Sequence, residues 1–106
     1  MTLFADAAEW REWLAGNHDS ATEQWVVLAK KGTVEPTSLS YEEAVREALC
    51  YGWIDGLTRR RDDATYVQRY TPRRSRSSWS ARNLARVEEL RQAGRMQPAG
   101  LAAVPA

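Results

Sequence analysis

The sequence predicts a small α+β domain, a three-stranded antiparallel sheet packed with three helices, in the order helix, strand, helix, strand, strand, helix. Two helix starts are marked at Asp6/Glu9 and Ser40/Glu43, where a short polar side chain is followed three residues later by a glutamate. Two strand-like runs, 53–60 and 65–70, stand only four residues apart, as in a hairpin. No strand-helix-strand unit repeats, which argues against a doubly wound parallel sheet. A chain of 106 residues suits one domain with a modest core.

The first helix starts at the Asp6/Glu9 box. Trp10, Trp13 and Leu14 form its apolar stripe, Arg11 and Glu12 point away, and Gly16 is placed to end it in a left-handed conformation. The Asn-His-Asp-Ser-Ala-Thr segment that follows is loop chemistry. Trp25 to Ala29 is a short apolar, partly β-branched run that suits a buried strand, and Lys30 and Lys31 return it to the surface. Pro36 excludes regular structure from the Gly-Thr-Val-Glu-Pro-Thr-Ser loop. The second helix runs from Tyr41 to about Tyr51, with Ala44, Val45, Ala48 and Leu49 inward, Cys50 near its end and Gly52 as terminator.

Arg61 to Ala64 connects the two hairpin strands. In the second strand Tyr66, Gln68 and Tyr70 share one face, Val67 and Arg69 the other, and Pro72 stops it. After a basic loop, Ser78 or Ser80 caps a third helix carrying Leu84, Val87 and Leu90 until Gly94. The domain is expected to span 1–95. Residues 96–106, rich in Ala, Gly and Pro, are expected to be a weakly ordered tail unless something packs on them.

Hydrophobic residues make up 43% and charged residues 27% of the chain, which favours a folded domain over disorder. The lone Cys50 allows no internal disulfide and fits a reducing compartment, so a cytoplasmic location is expected. The N-terminal residues lack the pattern of a secretory leader, and no run of about 18 apolar residues marks a membrane span. The net charge of +1 conceals a division: residues 1–58 carry four Lys/Arg against ten Asp/Glu, whereas 59–95 carry eleven Arg against four Asp/Glu. Two readings follow. Either the halves pair within the fold and otherwise face water, or the arginines form an anion-binding face.

The stretch from Tyr51 to Asn83 concentrates aromatics, arginines and turn residues beyond what folding alone needs. The candidate ligand-binding residues are Trp53, Asp55, Arg69, Tyr70, Arg73, Arg74, Trp79 and Asn83, with Tyr66 and Arg76 beside them. Arginine forks bind carboxylates or phosphates, and aromatic faces stack on bases or sugars. Each has a plainer reading: Trp53 and Trp79 as core, Asp55 as partner of a nearby arginine, Arg82 and Arg86 as solvated or paired with Glu88 and Glu89. One histidine, His18, and one cysteine, far apart, make no zinc pattern, and no catalytic residue, metal or cofactor is expected.

Three stretches together, SYEEAVREALCYGWIDG at 40–56, YVQRYTPRRSRSSWSARNLARVEEL at 66–90 and GRMQPAG at 94–100, resemble the bacterial YdeI/OmpD-associated, or bacteriocin-protection, family. EWREWLAGNH at 9–18 and WVVLAKKG at 25–32 are similar to its opening, so the resemblance covers nearly the whole chain. It implies a non-enzymatic stress-tolerance role against bacteriocins or cationic antimicrobial peptides, and association with an outer-membrane porin, without a catalytic mechanism. Members commonly continue into a further helical region, so any role of that region is not expected of residues 1–106. Joined to the residue reading, this gives a module binding a protein or small anionic ligand through the 53–83 surface. The alternative is a small nucleic-acid-binding domain using the same arginines.

Overall fold

The computed structural model describes residues 1–74 and 78–105. Seven elements follow in order: α1 (Ala7–Asn17), β1 (Gln24–Ala29), α2 (Tyr41–Cys50), β2 (Trp53–Arg60), β3 (Thr65–Pro72), α3 (Ala81–Gln92) and α4 (Pro98–Ala103). The sheet is antiparallel throughout with strand order β1-β3-β2, so the last strand in sequence lies in the middle. Register pairs Gln24 with Tyr70 and Ala29 with Thr65 on one side, and Trp53 with Pro72 and Arg60 with Tyr66 on the other. An extra residue of β2 bulges between Asp55 and Thr58. Thr2 bridges Val26 in parallel and so covers part of the outer edge of β1.

The alternation expected of β3 holds and decides where the core lies. Tyr70, with Val26 and Leu28 of β1, joins Trp10 and Leu14 of α1 and Ala44 and Ala48 of α2 in one buried cluster, and Tyr66 packs against it. Trp10 is sealed into this cluster by an indole N–H that donates to the Ala44 carbonyl at 3.0 Å, tying α1 to α2. The opposite side of α2, Val45, Leu49 and Cys50, meets Val87 and Leu90 of α3 in a second cluster that Trp79, Met96 and Val104 flank. α2 therefore separates two cores. Its start is a complete capping box: Ser40 Oγ accepts from the Glu43 N–H at 3.2 Å and Glu43 Oε1 from the Ser40 N–H at 3.1 Å.

Several expectations are corrected. Gly16 does not end α1, because the last-turn carbonyls find other donors: Asn17 Nδ2 donates to the Trp13 carbonyl and the His18 N–H to that of Leu14. At the start of α1 Asp6 caps the Glu9 N–H, but Glu9 reaches back to the Ala5 N–H, one residue before the cap. Pro72 is not excluded from β3 but is its last residue and pairs with Trp53, so the strand runs two residues beyond its expected end at Tyr70. On α3 the inner face carries Asn83, Arg86, Val87 and Leu90, while Leu84 is exposed. Ser80 is the cap of α3.

The largest difference is a fourth helix. The segment expected to be a weakly ordered tail forms α4, opened by Pro98 at its first turn, and it docks on the end of α2. The Gln97 N–H donates to the Cys50 carbonyl at 3.0 Å. Gly100 lies so close that a Cβ there would fall 2.2 Å from the Cys50 carbonyl oxygen. Gly52, at φ +77°, both ends α2 and admits Ala99, whose carbonyl oxygen would be 2.8 Å from a Cβ at Gly52.

Candidate anion-binding cleft

The charge division predicted from sequence is partly neutralised inside the fold. Arg86, its side chain nearly buried, forks onto Glu42 through Nε at 2.9 Å and Nη2 at 2.7 Å, and holds Asn83 Oδ1 with Nη1 at 2.8 Å. That fork holds the Glu42 carboxyl well below the usual range, at about 2. Arg46 links Glu42 to Glu89, and Arg69 binds Glu23 at 2.6 Å. Glu47, only 4% exposed, is held by Arg11 from α1 and Arg95 from beyond α3. Of the ion pairs among the described residues, four join the halves and four lie within one half, and Glu88 is taken by Arg91 and Glu89 by Arg46, not by Arg86. Among the described residues Arg59, Arg60, Arg73, Arg74 and Arg82 make no ion pair.

Two of these converge on a cleft of about 560 Å³. One wall is the turn after α2, Tyr51 to Trp53, with His18 and Asp19 beside it. The second is Pro72, Arg73, Arg74 and Trp79. The third is α4 and its exit, through Ala99, Ala102, Ala103 and Val104. Arg73 is delivered here by the backbone, since its N–H donates to the Gly52 carbonyl at 2.8 Å as β3 ends. Its guanidinium lies 3.8 Å from the Trp79 ring centroid, and Nη2 donates to the Ser78 carbonyl. Its Nε is buried with no partner among the described residues. Burial weighs against the charge of this guanidinium, and the distant attraction of Asp55 offsets that only in part. A partly desolvated arginine with no carboxylate on it among the described residues is the chemical arrangement that an anionic ligand relieves.

The sequence-derived candidates separate into four groups. Arg73, Arg74, Trp79 and Trp53 come together at the cleft, although Trp53 is 1% exposed and contributes only an edge, its indole N–H donating to the His18 carbonyl. Tyr70 belongs to the core: it is fully buried and its hydroxyl donates to Gln68 Oε1, so no ligand reaches it from solvent. Asp55 accepts from the Tyr41 hydroxyl at 2.9 Å, not from an arginine, and Asn83 serves the Arg86 fork. Tyr66 is packed against the core, and Arg76 lies outside the described residues. Arg69 faces a separate depression with Thr22, Ile54 and Thr71, which shares Pro72, Arg73 and Arg74 with the cleft.

Sequence reasoning missed His18, Tyr51 and the α4 wall. Carbonyls only accept, so the 2.8 Å contact of His18 Nδ1 with the Leu14 carbonyl puts the proton on Nδ1. The His18 ring rests against Tyr51 at 5.0 Å. The helical signal for α4 was present in Pro98 followed by Ala, Leu and Ala, but the glycine between them argued for a coil. Among the described residues no group of three or more His, Cys, Asp or Glu side chains gathers to hold a metal ion. Nor, among them, is any helix long and apolar enough to cross a membrane.

A protein-family model described as a domain of unknown function, DUF8412, matches residues 2–103. No curated protein and no solved structure matches the chain.

Proposed function

We propose, for a chain that belongs to the DUF8412 family of unknown function, that it is a non-enzymatic binding module whose ligand is an anion seated at Arg73 and Arg74. The observation that carries this reading is Arg73 itself. It is stacked on Trp79, partly stripped of water and, among the described residues, without a carboxylate, while seven other arginines are ion-paired. Stacking fixes the guanidinium plane before a ligand arrives, which lowers the ordering cost of binding. The resemblance of 40–56 and 66–90 to the YdeI/OmpD-associated family supports a bacterial stress-tolerance setting, with the anion belonging to a small molecule or a partner protein.

A second reading, single-stranded nucleic acid, is favoured by one further observation. Arg59 lies 5.3 Å from the Trp25 ring on the face of the sheet turned away from the helices, and neither Arg59 nor Arg60 makes an ion pair among the described residues. Such a face offers both stacking and charge.

The test is heteronuclear NMR of the labelled chain, titrated with small anions and with an oligonucleotide at low and moderate salt. The first reading expects saturable shifts at the Trp79 indole N–H. The second expects shifts at Trp25 that collapse with salt, because counterion release drives that binding. In the first reading a folded Arg73→Glu/Arg74→Glu variant loses small-anion binding. Undiminished binding by that variant would refute it.

A further inference from the structure

We propose that the ligand of this cleft is an amphipathic monoanion, a carboxylate with an aliphatic body. The inference rests on the anion-binding reading above and adds the ligand's class. Charge comes first. Among the described residues the lining carries Arg73 and Arg74 against Asp19, a formal balance of one positive charge with His18 neutral. One negative charge neutralises that balance, whereas a phosphate near neutral pH brings closer to two. The guanidinium fork also matches the two oxygens of a carboxylate.

The body of the ligand is set by the opposite wall. Ala99, Ala102, Ala103 and Val104 present methyl groups and offer a ligand no side-chain hydrogen bond, so what lies against them is apolar. At Trp79 the Arg73 guanidinium covers one face at 3.8 Å and the ring also packs against the second core cluster, which leaves a flat ligand ring little surface to stack on. The shallow alanine surface suits a methylene chain. A cleft of about 560 Å³ lies within the usual range for small ligands. A free fatty or branched acid and the C-terminal residue of an apolar peptide present the same chemistry.

Isothermal titration of the full chain at pH 7 with octanoate, acetate and inorganic phosphate tests this, with the Trp79 indole signal followed in parallel. Octanoate is expected to bind one to one and at least about tenfold more tightly than acetate, the gain from burying about two methylenes. Ala102→Asn, at an exposed position of α4, is expected to remove that advantage by making the apolar wall polar, with the charge of the cleft unaltered. Equal binding of octanoate and acetate, tighter binding of phosphate, or an octanoate advantage that survives Ala102→Asn would overturn the proposal and leave the anion-binding reading in place. No binding of any of the three would overturn both. A Leu-terminated peptide in its acid and amide forms separates the sources. Binding of the acid alone supports the proposal with a chain terminus as ligand, and octanoate binding without peptide binding supports it with a free acid.

Discussion

Alanine replacing glycine should have opposite effects at two positions of this chain. Gly16 lies inside α1, exposed, with nothing within 4 Å of where a Cβ would stand. Gly16→Ala therefore gains helix propensity alone, about 0.5–1 kcal/mol. Gly100 also lies in a helix, but its Cβ would stand 2.2 Å from the Cys50 oxygen and 2.7 Å from the Leu49 oxygen. Carbon and carbonyl oxygen rarely approach closer than about 3.3 Å, so α4 must retreat by roughly 1 Å. That lengthens the 3.0 Å bond from Gln97 to Cys50 beyond hydrogen-bonding range. Overpacking costs about 1–3 kcal/mol and the lost bond about 1 kcal/mol, against about 1 kcal/mol gained in propensity. The net is a loss of about 1–3 kcal/mol, or a fall in Tm of at least about 4 °C, against a rise of a few degrees for Gly16→Ala. Thermal unfolding read by circular dichroism gives both shifts, and hydrogen exchange at the Gln97 amide reports docking directly. If Gly100→Ala raised Tm as Gly16→Ala does and left Gln97 protected, the packing of α4 against α2 would be refuted.

Three further outcomes follow. Glu42 is held at about 2 by the Arg86 fork against an ordinary 4.5, so its contribution is present above pH 4.5 and is lost as pH falls toward 2. Because the carboxylate is half exposed, that contribution is about 1 kcal/mol at most, and urea unfolding of Glu42→Gln should show a correspondingly flatter loss between pH 5 and 2.5. Burial, then the nearby Glu47, pushes the Cys50 thiol up to about 11 from 9.0, so native alkylation at pH 8 should run at least about 100-fold slower than in urea, following the thiolate fraction; equal rates would contradict its burial. Trp10→Phe removes the indole bond to Ala44 and some buried volume and should cost about 1–3 kcal/mol, read as a lower urea midpoint at unchanged slope.

Elements governed by local chemistry were legible in the sequence. The Ser40/Glu43 box, the pairing of 53–60 with 65–70 and the alternation of Tyr66, Gln68 and Tyr70 depend on residues a few positions apart, and they stand as read. What escaped depends on distant partners. The aromatic face of β3 was legible as a face, but whether it met solvent or helices was decided by Trp10 and Ala44, so Tyr70 became core. Arg86 looked solvated because its acid, Glu42, lies 44 positions away. α4 looked like a tail because a short helix with a central glycine has little stability of its own. Its order comes from Cys50 and Gly52, which allow the close approach. The cleft inherited that blind spot: its basic wall is one continuous stretch of sequence, its apolar wall is not.

The strand order β1-β3-β2 has a consequence for synthesis of the chain. Among the described residues the strand pairing of β1 is with β3 and the bridge at Thr2, and its partners in β3 come 36 to 46 residues later. At roughly 5–20 residues per second, the Trp-Val-Val-Leu-Ala run emerges some 2–9 s before its partner strand exists. During that interval it is an apolar segment with an open edge, the kind of sequence that associates between chains. α1 precedes it and α2 follows it before β3 appears, so two amphipathic helices are available to shield the run while the ribosome completes the hairpin.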